Sequence, residues 1–199
     1  MRHLVIQRNY LLSAALILAL AGCHAKKQPD TANFKAAIND HYKTAPVCVW
    51  PSPVKFPAQA DAANDSQTRQ FDALTDAGLL TRTAEEKKRF LIGSKQVNDY
   101  DASDKGRQAW TPDSTQPGYA NFCYGHREVT AIDTFTTATS QDGVNSATVS
   151  DHYRIAGVPD WAQAAETKTA FPNLQEALDA PQLATAKLVE TQNGWQFSQ

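Results

Sequence analysis

The sequence predicts an α+β fold, with a helical N-terminal half that includes a hairpin and a C-terminal antiparallel sheet with short helices. Three observations carry this. Apolar residues recur every four positions at Phe34, Ile38 and Tyr42, and Phe71 and Leu74, three apart, line one face of a second segment; both are helix spacings. From Glu128 to Thr139 the chain is dense in Thr, Val, Ile and Phe, with neither Pro nor Gly. Further on, Val149, Tyr153 and Ile155 alternate with Ser150, His152 and Arg154, as a half-buried strand requires. Asp142-Gly143 and Asn193-Gly194 then mark two hairpin turns. Length and composition agree: 199 residues, 42% apolar and 20% charged, suit one domain or two small ones. A net charge of −2 excludes a basic nucleic-acid binder and a strongly acidic disordered tail.

Residues 1–22 stand apart from the fold. Arg2, His3 and Arg8 make a positive start, and an apolar run follows from Leu11 to Ala21. That run is about half of the ~20 residues a spanning helix needs, and its flanks are those of a secretory signal. It ends in Leu20-Ala21-Gly22-Cys23, which resembles the lipobox of bacterial lipoproteins. The resemblance implies cleavage before Cys23 and diacylglycerol on its thiol, with acyl chains such as palmitate holding the protein to a membrane. Residue 24 is His and not Asp, which in that family implies the outer membrane, facing the periplasm, if the source is Gram-negative. An ordinary secretory signal followed by an incidental Cys23 is the alternative. Two or more chains anchor stably at ~0.8 kcal/mol per buried CH₂, so no spanning helix is needed.

Removing the signal takes Arg2 and Arg8 from the 19 basic residues, leaving 17 against 21 acidic. With Cys23 lipidated, Cys48 and Cys123 remain as an even pair in an oxidising compartment. A disulfide is the default expectation there, with two buried free thiols as the alternative. Such a bond would join the halves on either side of the 111–118 loop.

Residues 23–30 read as a polar tether. The domain runs over 31–199, with 31–110 and 119–199 as possible subdomains. Thr31 is the expected N-cap of a first helix that Pro46 stops. Val47 to Trp50 reads as a short edge strand, punctuated by Pro51, Pro53 and Pro57. Asp65 or Ser66 caps a second helix, and Gly78 is its natural C′ residue. Residues 84–89 (AEEKKR) read as a solvated turn or wing tip, with a strand over Phe90-Leu91-Ile92 to Val97. Ala73 to Arg82 with Tyr100 to Arg107, across the hairpin between them, resembles the helix-plus-wing segment of winged-helix proteins. The resemblance, over 73–107, implies local shape only. Negative charge and an address outside the cytoplasm speak against DNA.

Residues 111–118 (TPDSTQPG) are loop by composition and the best internal boundary. Tyr119 to Tyr124 and Glu128 to Thr139 then read as strand. A two-residue turn at Asp142-Gly143 leads to the return strand, which Gly157-Val158-Pro159 ends. Asp160 caps a helix to about residue 169, and Asn173 starts a short one to about Asp179. Residues 184–190 and 195–197 make a last hairpin on a type I′ turn.

The chemistry that motifs announce is sparse. The mature histidines, His24, His41, His126 and His152, lie far apart, and there is no HExxH, CxxC, EF-hand, GxGxxG, Walker or GxSxG pattern. No cofactor or metal is expected. A two-residue turn at Asp142-Gly143 places Asp133 opposite His152. That pair is half of a nucleophilic triad or a polar cross-strand pair on a solvated face. Trp50, Trp110, Trp161 and Trp195, with Tyr100, Tyr119, Tyr124 and Tyr153, either line a ligand groove or anchor a core. Trp50 and Trp110 flank the 51–57 and 111–118 segments, mobile by composition and a candidate binding rim. The sequence thus predicts a lipid-anchored, non-catalytic binding or structural module with an envelope-protein or cell-wall partner. The alternative is an anchored periplasmic hydrolase using Asp133 and His152.

Overall fold

The computed structural model describes residues 27–88, 93–179 and 181–198. The signal segment, Cys23 and the Phe90-Leu91-Ile92 stretch lie outside the described residues. In chain order the elements are α1 (Thr31–Thr44), β1 (Pro46–Cys48), β2 (Val54–Lys55), β3 (Ala58–Asp61), α2 (Asp65–Asp76), β4 (Leu80–Lys88) and β5 (Ser94–Ala102). Then come α3 (Asp104–Ala109), β6 (Trp110–Pro112), β7 (Tyr119–Thr139), β8 (Asn145–Ala156), α4 (Asp160–Gln163), α5 (Ala165–Ala170), α6 (Pro172–Asp179), β9 (Gln182–Thr191) and β10 (Gly194–Phe197). The fold is α+β. The N-terminal part is not a helical half, since six of these strands precede β7.

Two compact units share the chain, and they are not the 31–110 and 119–199 halves. Unit 1 holds residues up to Thr44, Glu128–Tyr153 and Gln182–Gln199; unit 2 holds Ala45–Arg127 and Arg154–Pro181. Sequence punctuation missed this division because β7 and β8 each run unbroken from one unit into the other. The only local mark near the crossing at Arg127 among the described residues of β7 is Gly125, at φ +140°, which the strand passes through without ending.

Unit 1 is one helix on an antiparallel sheet in the order β7–β8–β9–β10. The four-residue repeat buries Phe34, Ile38 and Tyr42 with Ala37. They meet Val129, Ala147, Val149, Ala186, Leu188 and Trp195 in one apolar core. Phe34 sits edge-on to Trp195 at 5.0 Å, a geometry aromatic quadrupoles favour. Asp30, not Thr31, caps α1: its Oδ1 accepts from the Asn33 backbone N–H at 2.8 Å.

Both hairpins of unit 1 differ from the sequence reading in the same way. The β7–β8 loop has three residues, closed by Ser140 and Val144, with Gly143 at φ +77°. The β9–β10 turn is Gln192-Asn193, because Thr191 pairs with Gly194. No described non-glycine residue has positive φ, so a type I′ turn through Asn193 is ruled out; Gly194 takes the positive φ instead. In each, the glycine follows the turn rather than forming its second corner.

In unit 2, β1, β2 and β6 each pair antiparallel with the first half of β7, and β3–β5–β4 form a three-stranded sheet. Cys48 and Cys123 are cross-strand partners and are disulfide-bonded, Cα to Cα 3.7 Å. Both belong to unit 2, so the bond staples β1 to β7 rather than joining two halves. Helix α2 ends as Gly78 predicts. Gly78 N–H bonds Thr75 O and Leu79 N–H bonds Leu74 O, both at 2.8 Å, with Gly78 at φ +74°. Leu74 and Leu79, both fully buried, make the apolar contact of this Schellman cap.

The AEEKK run is strand and not a turn: β4 continues through it, with Glu85 opposite Val97 and Lys87 opposite Lys95. The helix expected over 160–169 is two, α4 and α5, parted by Ala164 in extended conformation. Nothing in the sequence marks that break. Pro172 opens α6 at the one helical position where its missing N–H costs nothing.

Candidate functional site

The residues singled out by sequence fall into three environments. Asp133 and His152 meet in unit 1, His152 Nδ1 lying 2.9 Å from both carboxylate oxygens of Asp133. Their side chains are 34% and 38% exposed, on the solvated face of the β7–β8 hairpin. A nucleophile would have to reach the free ring nitrogen. The Thr130 hydroxyl donates instead to the backbone carbonyl of His152, at 3.0 Å. The residue paired with His152 on β9 is Leu183, whose side chain can neither attack nor donate. This arrangement is a polar cross-strand contact, worth a few tenths of a kcal/mol at this exposure.

The tryptophans divide. Trp50 is buried among Phe56, Phe71, Phe122 and Phe171, with ring centroids 5.7–6.2 Å away. Its indole N–H donates to Gln70 at 2.7 Å, and its backbone exchanges two bonds with the buried Asn121 amide. A buried ring with its polar atom satisfied is a core anchor, so Trp50 lines no rim. Trp161 and Trp195 are buried as well, as are Tyr100 and Tyr124. Trp110 is half-buried, with the Arg107 guanidinium 6.0 Å from its ring centroid, at the limit of a cation–π contact.

The segments beside these tryptophans are hydrogen-bonded into the sheet. Phe56 N–H donates to Gly118 O and Asp113 N–H to Tyr119 O, at 2.9 and 2.8 Å. Within the 111–118 loop, Asp113 accepts from both the backbone and the hydroxyl of Thr115, at 2.7 Å each. Those two bonds hold the Asp113 carboxyl below its ordinary pKa of 3.8. The two segments are thus bonded to each other through Phe56 and Gly118, and the loop to the start of β7 through Asp113 and Tyr119.

The third environment was not singled out in the sequence. Helices α2 and α5 of unit 2 border a cleft of about 550 Å³, into which Asp65, Arg69, Asp72, Asp76 and Glu166 project. Asp72 is its best-tied group: Oδ1 accepts from Arg82 Nη1 and from the Tyr100 hydroxyl, both at 2.8 Å. The Arg82 guanidinium is held above its ordinary pKa by that carboxylate. Burial, and then the bond to Asp72, raise the Tyr100 phenol above 10. Asp72 and Asp76, one turn apart on the polar face of α2, were the only trace in the sequence. Such a pair is ordinary on a solvated helix, which is why it did not stand out.

Among the described residues, no group of three His, Cys, Asp or Glu side chains is placed to hold a metal ion. No described helix is long and apolar enough to cross a membrane. No protein-family model matches the chain, and none of the curated proteins or solved structures is significantly similar to it.

Proposed function

We propose that this chain is a bacterial envelope lipoprotein, held to a membrane by lipid on Cys23, whose folded part is a non-catalytic binding or structural module. The observation that carries the reading is the cysteine pattern. Cys48 and Cys123 are bonded to each other, as a protein exported to an oxidising compartment allows. The third cysteine, Cys23, directly follows a charged start, an apolar run and Leu20-Ala21-Gly22. Its partner is a protein or cell-wall component of the envelope, and the outer membrane is the site that His24 favours.

The module reading is preferred over a hydrolase on a specific ground. Among the described residues the His152 ring bonds Asp133 and no hydroxyl or thiol, which leaves the dyad without a nucleophile to activate there. The test is mass spectrometry of the N-terminal peptide together with fractionation of Cys23→Ser. Acylated Cys23, and loss of the variant from washed membranes, are the expected results. An unmodified Cys23, or a variant retained at the wild-type level, would sink the reading. Capture of partners from detergent-solubilised membranes then separates binding from structural roles.

A further inference from the structure

Residues 27–30 do not hang free of the fold. The Trp195 indole N–H donates to the Lys27 carbonyl at 3.1 Å. The Asn33 side-chain amide donates to the Gln28 carbonyl at 3.1 Å, and Asp30 caps α1. Pro29 shares the lining of a cavity of about 230 Å³ with Thr137, Thr139, Asn145, Glu190 and Trp195. All of these residues belong to unit 1. The tether is therefore docked over half its length.

The arithmetic of chain reach makes this consequential. An extended chain spans at most ~3.3–3.6 Å per residue, so eight free residues would give a leash of roughly 26–29 Å. With Lys27 fixed on the domain, only the four steps from Cys23 to Lys27 remain, roughly 13–14 Å. At the other end of α1, Lys43 lies twelve residues beyond Thr31, ~18 Å along the helix axis at 1.5 Å per residue. That distance exceeds the leash.

We propose that unit 1 rides directly on the lipid bilayer, with the surface around Lys27, Thr137, Thr139 and Trp195 turned toward the headgroups. The proposal rests on acylation of Cys23 as given under the proposed function. The occupant of this surface is lipid because the chain leading off it ends, four residues away, in the group that inserts into the bilayer.

The test uses the full-length acylated protein in vesicles of phosphatidylethanolamine and phosphatidylglycerol that carry a quencher on some headgroups. Thr137→Cys and Lys43→Cys, both at exposed positions, are labelled singly with a fluorophore. The native cysteines do not compete, since Cys48 and Cys123 are bonded and Cys23 is acylated. The label at 137 is expected to lose most of its emission and the label at 43 to keep most of it. A flexible Gly/Ser insert of ~10 residues between Cys23 and Lys27, itself spanning roughly 16–19 Å root-mean-square, should bring the two close to equality. Equal quenching at both positions with the native leash, or a difference that the insert leaves unchanged, would overturn the proposal. The mass of the N-terminal peptide is read on the same samples. An acylated Cys23 with equal quenching sinks this inference alone, whereas an unmodified Cys23 sinks the lipoprotein reading with it.

Discussion

The two units are built from the same α+β materials but reach stability differently. Unit 1 sets one 14-residue helix on strands of 9 and more residues, save the short β10, and gathers aliphatic and aromatic side chains into one cluster, with the buried Asp151 on β8 as a polar exception. Unit 2 has two nine-residue strands, β4 and β5, and beside them a set of fragments: β1 has three residues, β2 two, β3 four and β6 three. Strands this short are marginal alone, and each needs an external tie. Unit 2 supplies those ties with a disulfide at β1 and with aromatic rings gathered around Trp50, Phe56 and Phe122. The lesson is that regular periodicity and cross-linking substitute for one another. Where the pattern is long, no covalent tie is present among the described residues; where strands are broken by proline, one is.

The largest effects should come from cutting each core separately. Phe122→Ala in unit 2 and Phe34→Ala in unit 1 remove fully buried rings and should each cost about 3–5 kcal/mol. Amide hydrogen exchange read segment by segment is expected to show each variant loosening its own unit first. Simultaneous loss of protection in both units would break the comparison.

Next is the disulfide. Closing a 75-residue separation stabilises by about 4 kcal/mol in the chain-entropy model. Reduction, or Cys48→Ala with Cys123→Ala, should lower protection across unit 2 while the α1 and β9 amides keep theirs. If α1 opened to the same extent, the bond would be supporting the whole chain rather than one unit.

A smaller effect, confined to unit 2, concerns pH. Folding raises the Tyr100 phenol above 10, so the folded state holds that proton more tightly than the unfolded state does. Its contribution is fully present below pH ~10 and falls away as pH rises through the raised value. Denaturant unfolding followed in unit 2 should therefore weaken at high pH. Tyr100→Phe should cost about 1 kcal/mol at neutral pH by removing the bond to Asp72, and should flatten that alkaline slope. An unchanged slope in the variant would assign the alkaline loss to another group.

The smallest effect is expected at Asp133. Asp133→Asn removes an exposed pair and should change the stability of unit 1 by no more than ~0.5 kcal/mol. A loss several times larger, measured by the same denaturant titration, would mean that the hairpin face is not simply solvated.

Much of this was legible in the chain, and for physical reasons that can be named. The 34–38–42 repeat, the Gly78 helix end and the β8 alternation are local: each follows from backbone geometry within one element and the side chains it presents. Cys48 and Cys123 followed from counting cysteines once Cys23 is assigned elsewhere. Asp133 and His152 do meet, but the three-residue loop closes one position off the two-residue turn from which the pairing was read. Other features were decided only in three dimensions. The turn glycines sit one position later than their dipeptides suggest, because the strands' own pairing, not the Gly itself, sets where a loop closes. Residues 111 and 112, loop by composition, are the end of strand β6, because β7 offers them backbone partners that composition does not reveal. The α2–α5 cleft joins residues about ninety positions apart, and its acids look on the sequence like any solvated helix face. The division into units likewise cuts through two unbroken strands, since units are defined by which side chains share a core and not by where the chain bends.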